Sequence, residues 1–454
     1  MKRLLSASRH DRAQKAILAA LPLLLFTTLA VVPSAAARPS ATAEALRTGM
    51  TGNLGSPRLV GLELGNLGGT TSAANAVNDS GQVAGWADTK RSTHAFLWSH
   101  GKMTDLGTLG NGKQGSAAYG INSFGQVVGA SDREGSDDYD AFLWSKGRMV
   151  DLGTLVPKDE AIDSAAYGVN DSGQVVGWSN TNFGDLPSHG FLWSEGKLTD
   201  LGTLGGQDLS SWAYDINNSG QVVGSSEISG GEHMHACMWS DGTMSDLGTL
   251  GAYSDSWAAA INDAGQVVGS SWRITSSGGK TRRVEHAFSW AEGAMIDLGT
   301  LGGKSSYATG VNDTGQVIGT SQTRSGRWHA FLWVRGKMVD LGALGAHDGR
   351  ADGVNGSGDV VGSIQWDAKG QHPHAVLWTS TKKAGRTTVP NLRGMTLTAA
   401  HDAIARAEGS FGRLRRAYSS HVKAGRVMSQ SPRAGGRVRW GTKINLVISR
   451  GRGS

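Results

Sequence analysis

The chain contains a single cysteine, Cys237, among 454 residues, and only 9 prolines. One thiol excludes an intrachain disulfide framework, so stability must come from a large apolar core. Scarce proline, together with frequent Val, Ile, Leu and Trp, excludes a proline-rich stalk or a disordered glycine linker. Apolar runs of membrane length are missing after residue 32. The one such run, residues 16–32, follows a charged stretch and precedes Pro33 and Ala35-Ala36-Ala37. That order is the n-region, h-region and small-residue cleavage site of a signal peptide, cleaved after Ala37. An uncleaved anchor is the competing reading of the same run. The expectation is a secreted chain with no membrane contact after signal cleavage. Catalytic motifs are missing too: no Gly-x-Ser-x-Gly elbow, no metal-spaced histidine pair and no phosphate loop. A protein that is not an enzyme, with no metal and no cofactor, is therefore expected.

Glycine and tryptophan, at 67 and 15 residues, are abundant instead. They recur in a repeat. Asn-x-x-Gly-[Gln/Asp]-Val starts at Asn78, Asn122, Asn170, Asn217, Asn262, Asn312 and Asn355, at intervals of 43 to 50 residues. A second element, best read as His-Ala-Phe-Leu-Trp, ends at Trp98, Trp144, Trp193, Trp239, Trp290, Trp333 and Trp378. A third, Asp-Leu-Gly-[Thr/Ala]-Leu, starts at Asp105, Asp151, Asp200, Asp246, Asp297 and Asp340. In the second copy these elements predict four strands, over 117–122, 126–131, 141–144 and 148–155. Four strands at this period indicate a β-propeller. The third element is one copy short, and Glu63-Leu64-Gly65-Asn66-Leu67 stands before the first repeat. An open solenoid would need polar caps at both ends, whereas a ring takes its last strand from the N-terminus. The expected fold is all-β: a seven-bladed β-propeller with N-terminal strand closure, plus a small α+β C-terminal domain.

The His-Ala-Phe element and its partners resemble the HAF family of extracellular repeats, over about residues 58–381. The resemblance implies secretion and leaves function open. The repeated histidines, with Asp140 in their place in the second copy, are read as a within-blade hydrogen bond rather than a metal ring. The repeat tryptophans are read as core, and Cys237, which stands where other copies have Phe, as a buried apolar thiol. Five turn asparagines also spell Asn-x-Ser/Thr, but the turn itself demands those residues. Single turn acids such as Asp79 and Asp171 are too few oxygens for calcium.

Hairpin turns should lie on one face and the variable links, from 87–93 to 271–285, on the other. Variable loops on a rigid scaffold are where binding is expected. The residue five before each turn asparagine should open the innermost strand at the channel mouth: Ala73, Ala117, Ala165, Trp212, Trp257, Tyr307 and Arg350. Trp212, Trp257 and Tyr307 are the candidate ligand-binding residues, since flat aromatic faces suit sugar rings. Wedge packing between blades is the competing reading. Tyr253, Trp272, Trp328 and Trp366 are expected in loops of that face, with acids such as Asp137, Asp138, Asp140, Glu227 and Glu232. A carboxylate pair among these would make the chain a wall-tethered hydrolase or lyase.

After Trp378 the repeat stops. Val389-Pro390-Asn391 opens a new pattern. Leu397, Ala400, Ile404 and Ala407 then recur at helical spacing, and Gln430-Ser431-Pro432 and Leu446-Val447-Ile448-Ser449 follow in order. This resembles a PASTA domain over about residues 388–450, with an unusually arginine-rich stretch between Gly409 and His421. The resemblance implies peptidoglycan binding. Residues 382–454 hold 16 Lys/Arg against 2 Asp/Glu, a net of +14, while residues 38–381 carry 23 against 35, or −12. A compact basic module calls for an acidic partner. Nucleic acid suits the charge but not an extracellular compartment. The divisions expected are a signal peptide at 1–37, a linker at 38–57, the propeller at 58–381, a linker at 382–387 and the PASTA-like domain with its basic tail at 388–454. The expected function is that of a secreted, cell-wall-associated binding protein. Its PASTA-like domain would meet peptidoglycan or an anionic wall polymer, and the propeller a glycan or a protein.

Overall fold

The computed structural model describes residues 59–452, apart from 111–113, 134–137, 157–162, 182–186, 278–279, 367–371, 381–385, 408–409 and 440–441. The expected signal peptide, the linker 38–57, Arg58, Asp137 and most of the linker 382–387 lie outside the described residues.

Residues 59–380 form seven four-stranded antiparallel sheets in a propeller-like arrangement. The second sheet, Ser116–Ile121, Val127–Asp132, Tyr139–Ser145 and Arg148–Gly153, shows how the repeat specifies each one. Its first turn closes through the Gly125 N–H, which donates to Asn122 O at 3.1 Å, with Gly125 at φ 75°. The Asn122 side chain accepts the Gln126 N–H at 3.0 Å, so one residue both starts the turn and braces it. The last hairpin turns on Lys146 and Gly147, both at positive φ, the geometry that matches strand twist. The glycine of each Val-x-Gly triplet lies against the bulged first strand. A Cβ on Gly129 would collide with the Ala117 carbonyl oxygen, and the same holds for Gly85, Gly177, Gly224, Gly269, Gly319 and Gly362.

The first strands are innermost. Each touches the first strand of the sheets before and after it, and Asp348–Val354 touches Ser72–Val77. The outer strand of the seventh sheet is Leu59–Glu63, which pairs antiparallel with Pro373–Ser380 from Leu59↔Ser380 to Glu63↔Val376. The turn asparagines make a second circuit. Asn78 Nδ2 donates to Asn122 O, Asn122 to Asn170, Asn170 to Asn217, Asn217 to Asn262, Asn262 to Asn312 and Asn312 to Asn355, at 2.8–3.2 Å. Asn355 Nδ2 donates back to Asn78 O at 3.1 Å. The core lies between successive sheets: Phe142, fully buried, packs with Ala84, Ala95, Leu106, Ala118 and Val127.

The C-terminal unit is α+β. The helix Leu397–Arg406 is capped by Thr396 Oγ1, which accepts the Ala399 N–H at 3.2 Å. It packs Ala400 and Ile404 onto Ile444, Leu446 and Ile448 of the central strand Lys443–Ser449. Ser410–Ala417 pairs parallel to that strand and Val427–Ser431 antiparallel. Arg386–Thr388 pairs with Arg437–Arg439. Trp366, at the end of the seventh sheet's second strand, packs both against this core and against the seventh-sheet cluster containing Leu59 and Trp378. The helix and Ser410–Ala417 approach the closing strand.

Deleting residues 38–67 removes that strand and the buried Leu62 and Leu64, worth about 3–6 kcal/mol between them. The melting temperature should fall by about 10 °C or more. An unchanged melting curve would show that the N-terminal strand is dispensable.

Candidate functional site

The positions expected at the channel mouth each face one residue of the second strand. The pairs are Ala73↔Trp86, Ala117↔Ala130, Ala165↔Trp178, Trp212↔Ser225, Trp257↔Ser270, Tyr307↔Thr320 and Arg350↔Ser363. Wherever the first strand carries alanine opposite tryptophan, or a bulky group opposite Ser or Thr, the pair fills the same layer. Only the second sheet, with Ala117 and Ala130, leaves it unfilled from these positions. Reading one strand alone therefore made three blades look special, and Trp86 and Trp178 went unrecognised as members of the layer.

Trp257 is buried, 6% exposed, while Trp212 and Tyr307 are half-buried. Trp257 Nε1 donates to Ser270 Oγ, and that hydroxyl donates to Glu285 Oε1 at 2.5 Å. Glu285 pairs with Arg283 at 3.3 Å, and the Arg283 guanidinium lies 4.2 Å over Trp272. The Tyr307 ring lies 5.7 Å from Trp328. Burial raises its phenol pKa against the opposing pull of Arg350, and Asp352 and Glu285 add to the rise. Arg350 is itself paired with Asp352, whose carboxyl burial pushes upward against that arginine. Sheets five to seven thus contribute two arginines, two carboxylates and several aromatic side chains.

Two expectations about this face need correction. Trp272 is not in a loop: it sits within Val267–Ser277 and is 2% exposed. The span 271–285 is mostly a hairpin, because pairing continues from Val267↔Trp290 to Ser277↔Lys280. Trp328 likewise opens a strand, Trp328–Val334.

A further series was missed. Tyr119, Tyr167 and Tyr214 each lie three before the turn asparagine, where every first strand bulges. Their rings follow one another at 5.1 and 5.6 Å, and Tyr214 meets Trp257 edge-on at 5.5 Å. At the same position Asn75 Nδ2 donates to Ala118 O and Thr309 Oγ1 to Ala351 O. In five of the seven sheets the position joins one sheet to the next. Tyrosine at one offset in three consecutive copies was the available signal.

The repeat histidines make the within-blade bond. His94, His189, His235, His286 and His329 place Nδ1 2.7–2.9 Å from Asp105, Asp200, Asp246, Asp297 and Asp340. His374 finds Glu63 of the N-terminal strand at 3.0 Å. In the second sheet Asp140 pairs instead with Arg133 at 2.7 Å. The carboxylates raise the pKa of His189 and His286, so these pairs stabilise the fold fully below the ordinary histidine value and lose strength as pH rises through the raised one. Cys237 is buried, and burial pushes its thiol up to about 12. It stands where Phe191 and Phe288 fill neighbouring sheets, and the shortfall in volume leaves a small gap lined by Gly190, Trp212 and Cys237. Among the described residues no group of three or more His, Cys, Asp or Glu is placed to hold a metal, and no helix is long and apolar enough to cross a membrane.

Residues 387–450 match the PASTA domain family. No curated protein matches the chain. Among solved structures the chain is similar to an Aleuria aurantia lectin mutant in complex with Fucα1-6GlcNAc, at 12% identity over 59% of this chain and 93% of that one, with a TM-score of 0.33. It is also similar to TolB from Acinetobacter baumannii, at 9% identity over 59% and 62% with a TM-score of 0.36. The β-propeller domain of the Trilobed protease from Pyrococcus furiosus is 11% identical over 59% and 81%, with a TM-score of 0.37. Likenesses this distant transfer no ligand or activity to this chain.

Asp215 gives the site a pH signature. Its carboxylate accepts the Ile216 and Ile261 N–H groups at 2.9 and 3.0 Å, yet burial outweighs them and raises its pKa to about 7. The folded state therefore holds a proton that the unfolded chain releases near its ordinary value of 3.8. Stability should fall as pH rises from about 4 to about 7, by up to about 1.4 kcal/mol per pH unit. Asp215→Asn should flatten that slope in melting curves taken across this window. Parallel slopes for both proteins would refute the assignment.

Trp257→Ala should destabilise the ring by about 3–5 kcal/mol, because it empties a buried site. Denaturant unfolding would measure this. A loss under 1 kcal/mol would mean that the indole is not packed as described.

Proposed function

We propose that the chain is a secreted, cell-wall-associated binding protein, and that its seven sheets form a closed propeller of HAF-like repeats over residues 58–381. The variable-loop face meets a glycan or a protein, and the PASTA domain retains the molecule on peptidoglycan or an anionic wall polymer. The observation that carries this reading is the folded C-terminal unit that matches the PASTA family, with its exposed arginines Arg413, Arg415, Arg416, Arg426 and Arg437. On the propeller, the half-buried Trp212 and Tyr307 are the contacts, and Trp257, whose indole N–H is engaged by Ser270, supports them.

A second reading has its own support. Tyr307 lies among Arg350, Asp352 and Glu285, a combination of acid groups and aromatic ring that suits a wall-tethered polysaccharide hydrolase or lyase. Incubating the protein with glycans and following both binding and product release separates the two. Release of product that depends on Asp352 or Glu285 favours the enzyme.

The test of wall retention is sedimentation of the full chain and of residues 38–381 with purified cell wall, at low and high salt. The full chain should sediment and the shorter one should not. Salt should weaken the binding, because exposed charges are screened beyond about 10 Å at 0.1 M. Equal sedimentation of both would remove the PASTA domain from the mechanism.

A further inference from the structure

The C-terminal sheet has one covered face and one open face. Ile444, Leu446 and Ile448 point to the helix and are buried. The alternate residues of the same strand, Lys443, Asn445 and Val447, point away. Register carries the open face across the sheet: Arg415 pairs with Val447 and Val447 with Ser429, while Asn445 pairs with Ser431. Lys443, Asn445, Arg415, Ser429 and Ser431 are all exposed. Arg413 stands beside them, its backbone N–H donating to Asn445 Oδ1 at 2.7 Å. The three strands contribute no acidic residue.

Two features of this face bear on ligand chemistry. Among the described side chains of these three strands none is aromatic, whereas a surface that reads neutral sugars offers flat aromatic platforms. Arg413, in the bulge between Phe411 and Leu414, lies two residues from Arg415 on the same strand, and Lys443 is contributed by the neighbouring strand. An array of cations and hydroxyls spread along an open sheet face matches a ligand charged at every repeat rather than a single anionic group. Guanidinium forks take phosphate or carboxylate in two-point hydrogen bonds.

We propose that this open sheet face is the anion-reading surface of the PASTA domain, and that its ligand is a linear wall polymer carrying a phosphodiester in each repeat. The proposal rests on the wall-retention reading and narrows it. Arg415 and Lys443, four residues or about 13 Å apart along the strand direction by register, meet separate phosphates of one polymer chain, Ser429 and Ser431 donate hydroxyl hydrogen bonds to the oxygens between them, and the face opposite remains packed on the helix.

The test uses the full chain. One variant carries Arg415→Glu and Lys443→Glu. A control carries Lys423→Glu and Arg433→Glu, which changes net charge equally at exposed positions off the three-stranded sheet. If the charge-reversed sheet variant melts early, Arg415→Gln with Lys443→Gln replaces it. Binding is measured to immobilised poly(glycerol phosphate), to a polyuronate, and to peptidoglycan stripped of phosphate polymers. The native chain should bind poly(glycerol phosphate) at least ten times tighter than the stripped wall. The sheet variant should lose at least tenfold of that affinity and the control less than threefold. Equal losses in both variants would overturn the assignment of the face. Tighter binding to polyuronate or to stripped peptidoglycan would overturn the ligand while leaving wall retention standing. A native chain that binds none of the three, nor intact wall, would instead refute wall retention itself.

Discussion

The structure depends on one repeated hydrogen bond, from each turn asparagine's amide to the backbone carbonyl of the next turn asparagine. Seven such bonds return to their start, and Asn355 completes the circuit at Asn78 across 277 residues of chain. Each of these asparagines is at most 5% exposed, so an unmade bond would leave a buried polar group costing about 1–3 kcal/mol. This explains why the turn residue varies so little while the links at the other end vary freely. It also disposes of the Asn-x-Ser/Thr motifs as modification sites, since the amide nitrogen that would carry a sugar is buried and bonded to the next sheet. A parallel belt adds to the circuit: Asp171 accepts the Ser123 N–H, Asp263 that of Asn218, and Asp79 that of Gly356. The turn acids are structural acceptors.

A circuit of this kind fixes where the two chain ends must meet. The third strand of the seventh sheet is left with an open edge unless Leu59–Glu63 pairs with it. Glu63 then does for His374 what the aspartate does in five other sheets. Ser72 follows the same logic: it accepts the Ala375 N–H, as Ser116 accepts that of Ala95 in the next position of the cycle. Glutamate takes the place of aspartate at the closing position and still reaches the histidine, 3.0 Å from His374 Nδ1.

Much of this was legible in the sequence because the repeat is periodic and its turn chemistry is specific. The four strands per copy, the N-terminal copy displaced from its register and the histidine bond all follow from residues that recur in order. The aromatic layer was only half legible. Trp257 and Ser270 are thirteen residues apart and become one packing unit only through cross-strand register, so Ala165 opposite Trp178 looks unrelated to it along the chain. The hairpin through 271–285 was misread as a loop because its charged residues, Arg273, Arg282 and Arg283, alternate too irregularly for a half-buried strand. What holds it is register inherited from the buried pairs Val267↔Trp290 and Gly269↔Phe288, a long-range constraint absent from local pattern.

The opposite charges of the two parts pose a physical problem that the packing resolves. A propeller sequence of net −12 and a tail of net +14 in one chain attract each other, and a freely tethered basic module would fold back on the acidic sheets, neutralising its own charge. An apolar contact sets the orientation here. Trp366 is shared between the seventh-sheet cluster and the C-terminal core, and the helix and Ser410–Ala417 are the elements that approach the closing strand. With the module held on its helix side, the open sheet face keeps Arg415 and Lys443 in solvent. Hydrophobic contact is insensitive to salt at the concentrations that screen surface charge, so this orientation persists under conditions that weaken attraction between ring and tail.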